Sequence, residues 1–220
     1  WMKSQDDLAP NVKELIGMFN LTALWVSSSV VSELKVKRRA HTLICAIELL
    51  EEFYSLRNWN GVLSVIAGLS HSSVSRLHKT WSNLDKAKYD VYLKREEEFS
   101  PLHNWKSFRR LLKNCPRPAF PYLGMTLSDL VFIEEGNSNT VESNGQKYIN
   151  FHKYLLQSDT IDNLLEFQFP AFDWDHQSYV PDQTGKGEVG KDGCGLVFEP
   201  LLDENVLYEQ SLIVEPRVKK

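Results

Sequence analysis

Cysteine is scarce in this sequence of 220 residues, and its three cysteines, Cys45, Cys115 and Cys194, lie far apart. An odd number of scattered cysteines builds neither a disulfide framework nor a CxxC metal site. A reducing compartment, the cytoplasm, is therefore the expected environment of the chain.

A surplus of positive charge is also missing. The chain has 25 Lys and Arg against 29 Asp and Glu, a formal net charge of −4. Nucleic-acid-binding domains carry a basic excess, so nucleic acid is not an expected partner. The absence of a run of about 18 apolar residues predicts no transmembrane segment. The first twenty residues include Asp6, Asp7 and Pro10 and have no apolar core, so no secretory signal is expected.

Motifs for metal binding and covalent catalysis are lacking as well. The six histidines show no HxxxH spacing, which would place two imidazoles on one metal ion. No GxSxG elbow appears, and no cysteine has the local sequence of a known thiol nucleophile. The sequence therefore predicts no metal site, no cofactor and no covalent catalysis.

Glycine is concentrated in residues 173–199, where five glycines stand among aspartates without hydrophobic periodicity. This composition predicts a flexible loop. Residues 185–191 fit the GxxxxGK part of a phosphate-binding loop, but Asp192 follows where Ser or Thr must ligate magnesium. The flanking residues also lack the strand and helix that such a loop requires, so we predict no nucleotide binding by this segment.

Hydrophobic periodicity is helical almost throughout, and strand-like alternation is almost absent. Leu43, Ile47 and Leu50, for example, place an apolar stripe on residues 37–57. The sequence predicts a single all-α domain, residues 1–220, of about ten helices. The predicted segments are 12–19, 22–34, 37–57, 59–70, 82–97, 104–113, 121–135, 147–167 and 204–213.

Residues 118–137 form the most informative segment. A proline-broken lead-in precedes an amphipathic helix, and Glu134 and Glu135 come directly before the stop Gly136-Asn137. Carboxylates are disfavoured at a helix C-terminus, where the macrodipole is already negative. Because Glu134 and Glu135 do not stabilise the helix at this position, they indicate a functional role for this helix end.

Several blocks of this sequence resemble the catalytic domain of Ras-family guanine-nucleotide exchange factors. The resemblance runs from about residue 10 to residue 217, interrupted by the loop. The matching blocks, in the family's order, are Phe19-Asn20, Leu56-Arg57-Asn58-Trp59-Asn60, Val65 to Leu69, Arg76-Leu77, Thr80-Trp81, Asn104-Trp105, Phe108-Arg109, residues 116–121, Leu123-Gly124, Leu127 to Asn137, Ile149-Asn150-Phe151 and Glu215-Pro216-Arg217. Compared with the family, the chain begins after the first helices, and Leu156 stands where many relatives carry a basic residue.

The resemblance implies a fold and a site. The fold is a helical bowl with a protruding helical hairpin, one arm of which matches residues 125–136. Val131 matches an apolar position over the magnesium site of the GTPase, and Glu135 matches an acidic position near the phosphates. The implied GTPase-binding residues are Arg76, Thr80, Tyr122, Leu127 and Asn137, and the implied hairpin-bracing residues are Asn150 and Phe151. For Asn137 and Asn150, simple helix capping is an equally supported alternative.

The implied function is that of an exchange factor, which promotes release of GDP from a Ras-like small GTPase through binding rather than bond chemistry. By resemblance, the Glu-Glu-Gly-Asn helix end favours a Ras or Rap partner over a Ral partner. The GTPase, or regions outside this segment, would recruit the chain to the inner membrane surface. Two alternatives stay open: an exchange-inactive relative that acts as a binding scaffold, and an unrelated helical adaptor.

Overall fold

The computed structural model describes residues 9–173 and 201–217. The predicted glycine-rich loop, with its GxxxxGK segment, lies outside the described residues except for Asp173. Within the described residues the fold is all-α, as predicted, with one short β-hairpin and one 3₁₀ turn at Glu166–Gln168. The elements in chain order are α1 Pro10–Ser32, α2 Val36–Ser55, α3 Trp59–Ser70, α4 Ser72–Ser75, α5 His78–Trp81, α6 Lys86–Glu98, α7 Leu102–Lys113, α8 Leu123–Gly136, β1 Thr140–Ser143, β2 Gln146–Ile149, α9 Phe151–Leu165 and α10 Glu204–Val214.

The first helix is continuous where two helices were predicted. Residues 12–19 and 22–34 both belong to α1, which starts with Pro10 in its first turn. Neither Gly nor Pro stands at the expected break, and Thr22 donates its hydroxyl back to the carbonyl of Met18 (2.8 Å). A threonine bonded in this way fits inside a helix, so Asn20 and Leu21 do not form a boundary.

By length and composition, α1 is long and apolar enough to cross a bilayer. The search for a long apolar run did not single out this helix, because Ser27, Ser28 and Ser29 interrupt its apolar residues. Val26, Val30 and Val31 of α1 are fully buried, and the helix packs against α3 and α10. We therefore interpret the second half of α1 as part of the core, while Met18 and Leu21 in its first half are exposed.

The core lies where α1, α2 and α3 meet, around the stripe predicted for α2. Gly68 of α3 allows a close approach, because a Cβ at this position would lie 2.6 Å from the carbonyl oxygen of Ala23 in α1. Ser27 uses the same approach and donates to the carbonyl of Gly68 (2.8 Å). Gly68 therefore permits the close contact between α1 and α3.

The β-hairpin was not predicted. Residues 147–150, assigned by sequence to the start of a helix, instead form β2 and the cap of α9. The two strands pair antiparallel, with Ser143 opposite Gln146 and Glu142 opposite Lys147. Asn144 (φ 52°) and Gly145 (φ 73°) form the two-residue turn between them. Asn-Gly is the preferred pair where both central residues need positive φ, so this dipeptide was the signal for a hairpin.

Candidate functional site

A helical hairpin of α8 and α9 carries the two residues predicted to act on the nucleotide site. The two helices pack against each other, and the β-hairpin joins them at the far end. Met125, Thr126 and Leu127 at the start of α8 are buried, whereas Phe132, near its other end, is 70% exposed. Because burial decreases from the start of α8 to its end, the hairpin is anchored at its base and its far end extends into solvent.

The two adjacent carboxylates at the end of α8 differ in their contacts. Glu134 forms an ion pair with the Nζ of Lys153 (2.9 Å) and accepts a hydrogen bond from Gln157 (3.0 Å). Glu135 is exposed and makes no hydrogen bond or ion pair with any described residue. Val131 stands four residues before Glu135, a spacing that puts both on one helix face. The carboxylate of Glu135, which has no partner among the described residues, and the half-buried side chain of Val131 therefore lie on the same face of α8.

Lys153 holds the far end of the hairpin together. Its side chain is only 1% exposed, although it belongs to the first turn of α9. The ammonium group donates to the backbone carbonyl of Glu134 (3.1 Å) and to the side-chain oxygen of Asn139 (2.6 Å). A cation at a helix C-terminus satisfies orphan carbonyls and opposes the negative end of the dipole. Lys153 thereby offsets the unfavourable placement of two carboxylates at the end of α8.

Two asparagines were predicted in the hairpin, Asn137 and Asn150. Both cap helix ends, and Asn150 also joins the two ends of the β-hairpin. Asn137 donates to the carbonyl of Ile133 (3.0 Å), a capping bond within α8. Asn150 caps α9 by accepting from the backbone N–H of Lys153 (3.4 Å) and also donates to the carbonyl of Ser138 (2.8 Å). Asn150 therefore spans both ends of the β-hairpin, whereas the bond of Asn137 is local.

Phe151 does not brace the hairpin in this structure. Its side chain is 67% exposed, and a side chain that remains in solvent contributes little packing energy. The bracing role implied for Phe151 is instead performed by Lys153, two residues later.

The base of the hairpin contains the predicted residues Tyr122 and Leu127. The Tyr122 ring packs against the rings of Phe19 (5.3 Å between centroids) and Trp105 (5.8 Å), and burial raises the pKa of its hydroxyl above the ordinary value. Leu127 is only 8% exposed. In this conformation Leu127 therefore lies too deep in the protein to contact a partner directly.

An ion pair also fixes the base. Arg109 of α7 donates to the carboxylate of Asp129 in α8 (2.8 Å) and to the backbone carbonyl of Asn104 (2.9 Å). Asn104 lies in a left-handed turn, with φ of 55°. Arg109 therefore joins α8 to the turn that opens α7.

A second set of predicted residues lies where α4 and α5 meet α10. Arg76 is half-buried and donates from Nη1 to the carbonyl of Ser211 in α10 (2.6 Å). Thr80 is fully buried, and its hydroxyl accepts from Arg39 (3.0 Å) and donates to Glu215 (3.2 Å). Thr80 cannot touch a partner from this position, so its predicted role as a direct contact does not fit the structure.

The buried network around Thr80 ties four segments of the fold together. Arg39 of α2 donates from Nη1 to the carbonyls of Glu33 (2.8 Å) and Leu34 (2.7 Å), which follow α1. Its charge faces Glu215, just beyond α10, at 3.9 Å. Glu215 also accepts from the backbone N–H of Lys79 in α5 (2.7 Å). Burial lowers the pKa of Arg39 from its ordinary value, and Glu215 opposes that shift.

The model of the RasGEF domain family matches residues 1–155 of this sequence. This chain belongs to the RasGEF domain family. It is 36% identical over 214 residues to Ras guanine nucleotide exchange factor M of Dictyostelium discoideum, covering 97% of this chain and 22% of that protein. It is 32% identical over 219 residues to Ras-specific guanine nucleotide-releasing factor 2 of Rattus norvegicus, covering 99% of this chain and 17% of that protein. The RasGEF chain thus spans about a fifth of the length of these relatives.

Within this RasGEF chain, sequence reasoning missed Lys153 and the pairing of Arg39 with Glu215. The sequence contained a signal for Lys153. One arm of the hairpin ends in two carboxylates and several orphan carbonyls, and a lysine in the first turn of the other arm can neutralise them. No comparable local signal marks Arg39 and Glu215, which stand far apart in sequence. Their pairing depends on where the chain folds back.

Substituting Lys153 should loosen the far end of the RasGEF hairpin. In Lys153→Met, the aliphatic stem is largely kept but the bonds to Glu134 and Asn139 are lost. We expect local opening to become easier by about 1–3 kcal/mol, the cost of unmade hydrogen bonds at such groups. Hydrogen exchange of the amides of residues 134–150 would measure this change. Lys147→Met, an exposed lysine of β2, is the matched control, and equal acceleration in both variants would contradict the bracing role.

Proposed function

We propose that this chain promotes release of GDP from a Ras-like small GTPase, so that GTP can replace it. The observation that supports this proposal is the arrangement at the end of α8. Lys153 forms an ion pair with Glu134, whereas Glu135 is exposed on the same helix face as Val131. A free carboxylate beside bound phosphates repels them and competes for their hydrogen-bond donors. An apolar side chain at the magnesium site disfavours the hydrated cation.

Magnitudes decide how much the hairpin alone can do. A picomolar nucleotide corresponds to roughly −16 kcal/mol of binding free energy, and ten-thousand-fold faster release requires a barrier lowered by about 5.5 kcal/mol. One hydrogen bond to a charged group supplies roughly 1.5–3 kcal/mol. Glu135 is therefore one contributor, and a broad interface must hold the opened GTPase while the hairpin acts on its nucleotide site.

The mechanism proposed here makes and breaks no covalent bond. Binding to the nucleotide-free GTPase competes with binding of the nucleotide, so the two ligands weaken each other reciprocally. The helix end Glu-Glu-Gly-Asn supports, by resemblance, a Ras or Rap partner over a Ral partner. Release of fluorescent GDP from one GTPase of each type would establish the preference, and fastest release from the Ral type would contradict it.

The role of Glu135 can be tested directly. In Glu135→Ala we expect exchange to be about tenfold slower, because roughly 1.4 kcal/mol of stabilisation is lost from the opened state. The melting temperature should hardly change, because the side chain has no partner among the described residues and a carboxylate at a helix C-terminus does not stabilise the helix.

Two further variants control this measurement. Glu135→Gln keeps the shape and removes the charge, so slow exchange by this variant would assign the effect to charge. Glu52→Ala removes an exposed carboxylate of α2 and should exchange at the rate of the unmodified chain. Full exchange activity in a folded Glu135→Ala variant would remove Glu135 from the mechanism.

A further inference from the structure

The hairpin of α8 and α9 is attached to the rest of the molecule at its base. Among the described helices, α8 and α9 pack extensively only against each other. The start of α8 is anchored by apolar contacts, since Met125 is buried and the ring of Tyr122 contacts two further aromatic rings. The hydrophobic effect is non-directional, so these contacts hold the base in place but do not by themselves fix the angle of the hairpin.

A cleft of about 600 Å³ separates part of this base from the body of the molecule. It is bounded by α7, residues 117–122, the first half of α8, the end of α9 and residues 166–167. No described side chain fills this volume. Close packing makes a contact between two elements rigid, so the hairpin can tilt at the cleft unless other groups bridge it.

Arg109 of α7 bridges the cleft to α8. Its Nη2 donates to the carboxylate of Asp129 (2.8 Å), and its Nε donates to the backbone carbonyl of Asn104 (2.9 Å). Nη2 also donates to the side-chain oxygen of Asn104 (3.1 Å). Charge-assisted bonds of this kind are specific in geometry as well as strong. Because Asn104 holds the guanidinium, the bond to Asp129 fixes α8 in one orientation relative to α7.

Arg117 bridges the cleft to the end of α9. Its guanidinium lies over the ring of Phe167, 3.6 Å from the centroid, and its Nη1 donates to the backbone carbonyl of Cys115 (3.2 Å). Glu166 lies 3.8 Å from Nη2 but is 69% exposed, and an ion pair in solvent stabilises little. The cation–π contact with Phe167 is therefore the main attraction. No other hydrogen bond or ion pair between described residues crosses the cleft.

A small change in angle at the base becomes a large displacement at the far end of the hairpin. Glu135 lies roughly 18 Å along α8 from Leu123, at about 1.5 Å per residue. Over this length, a tilt of about 10° at the base displaces the carboxylate of Glu135 by about 3 Å. A misplacement of about 1 Å can slow a reaction that depends on position by about a hundredfold.

We propose that Arg109 and Arg117 are positioning residues, which set the angle of the hairpin and thereby place Val131 and Glu135 against the GTPase. The effect on exchange rests on the proposed function, whereas the angle is a property of this chain alone. Neither arginine has to touch the GTPase. The expected loss on substitution therefore lies in the rate of exchange by the bound complex and not in the affinity of the complex.

Distances between two nitroxide spin labels, measured by pulsed electron paramagnetic resonance, report the angle directly. One label is placed at the far end of the hairpin, on Gln146→Cys. The other is placed on the body, on Glu52→Cys of α2 or on Lys86→Cys of α6. All three positions are exposed, and two body positions detect a tilt in either direction.

The labelled chains carry Cys115→Ser and Cys194→Ser, and the remaining thiol, Cys45, is buried. With the two arginines intact we expect one narrow distance distribution for each label pair. With Arg109→Gln and Arg117→Gln together, at least one distribution should broaden or shift by about 3 Å or more, the displacement expected for a tilt of about 10°. The matched control is Arg110→Gln, an exposed arginine of α7, which should leave both distributions unchanged.

Exchange kinetics separate positioning from binding. At saturating concentration of the chain, the double variant should release fluorescent GDP about tenfold more slowly. The concentration that gives half of the maximal rate should change by less than about twofold. A charge exchange provides a rescue, because Arg109→Asp should slow saturated release and added Asp129→Arg should recover most of the loss. The Arg109 and Asp129 side chains are 34% and 24% exposed, so these variants should stay folded, which circular dichroism would verify.

Unchanged distances in the double variant would overturn the proposal, and so would unchanged saturated exchange despite altered distances. A loss of exchange that appears only as weaker binding would overturn it as well. If the unmodified chain releases GDP from no Ras-like GTPase, the proposed function fails, but the distances still decide whether the two arginines set the angle.

Discussion

Replacing Arg39 with alanine should lower the free energy of unfolding by about 3–5 kcal/mol, the cost of breaking a buried ion pair by removal of one partner. Arg39 donates to Thr80 and to two carbonyls that follow α1, and it faces Glu215. Without the guanidinium, the buried carboxylate of Glu215 loses its counter-charge and the carbonyls lose their donor. Urea denaturation followed by circular dichroism would measure the loss.

The neighbouring residue provides a matched control. Arg38 belongs to the same turn of α2 and is exposed, so Arg38→Ala should change the free energy of unfolding by no more than about 0.5 kcal/mol. Arg39→Lys keeps the charge but not the planar set of donors, and it should fall between the two. An Arg39→Ala variant as stable as Arg38→Ala would show that the network does not hold α10 to the rest of the fold.

Helices were predictable from the sequence because their signals are local. The apolar stripe of α2 and the positions of α3, α8 and α10 follow from spacing alone. Caps sharpen the starts of α3, α6 and α10, where Asn58, Asp85 and Asp203 accept from backbone N–H groups. Each of these features is read from a few neighbouring residues, so no knowledge of the tertiary fold is required.

Errors arose where a local signal was weak or competed with another. The predicted helices 12–19 and 22–34 left a gap at Asn20 and Leu21, although neither residue prevents a helix. Tyr148 and Ile149 suit a helix as well as a strand, and the Asn144-Gly145 turn decides for the strand. Turn chemistry in this case outweighed periodicity.

The sequence suggested which residues form the candidate site, but it gave no information on the burial of their side chains. Resemblance pointed to Val131 and Glu135, and the structure adds why the two carboxylates of α8 differ, since only Glu134 reaches Lys153. Thr80 and Leu127 were predicted to contact the GTPase, yet both are buried. A sequence position shows which residue belongs to a surface helix, but the depth of its side chain depends on how that helix packs.

Arg76 is the predicted contact for which a substitution should have the largest functional effect. It is half-buried beside α10, and Nη1 is engaged by the carbonyl of Ser211, which leaves the other donors of its guanidinium for a partner. In Arg76→Glu we expect at least a hundredfold weaker complex with the nucleotide-free GTPase, a loss of about 2.7 kcal/mol, because the substitution would reverse the charge at the proposed contact. A pull-down with chelated magnesium would measure the complex.

A charge-neutral variant separates recognition from structure at this position. Arg76→Gln removes the charge, and its shorter amide does not reach the carbonyl of Ser211 as Nη1 does, so the melting temperature must be measured to detect any loosening of α10. If the charge of Arg76 recognises the GTPase, Arg76→Gln should lose most of the complex while it remains folded. If Arg76 only holds α10, any weakening of the complex in Arg76→Gln and Arg76→Glu should appear together with a lower melting temperature. Normal binding by both variants would show that the complex does not depend on Arg76, and the GTPase would then have to be held through other residues of this surface.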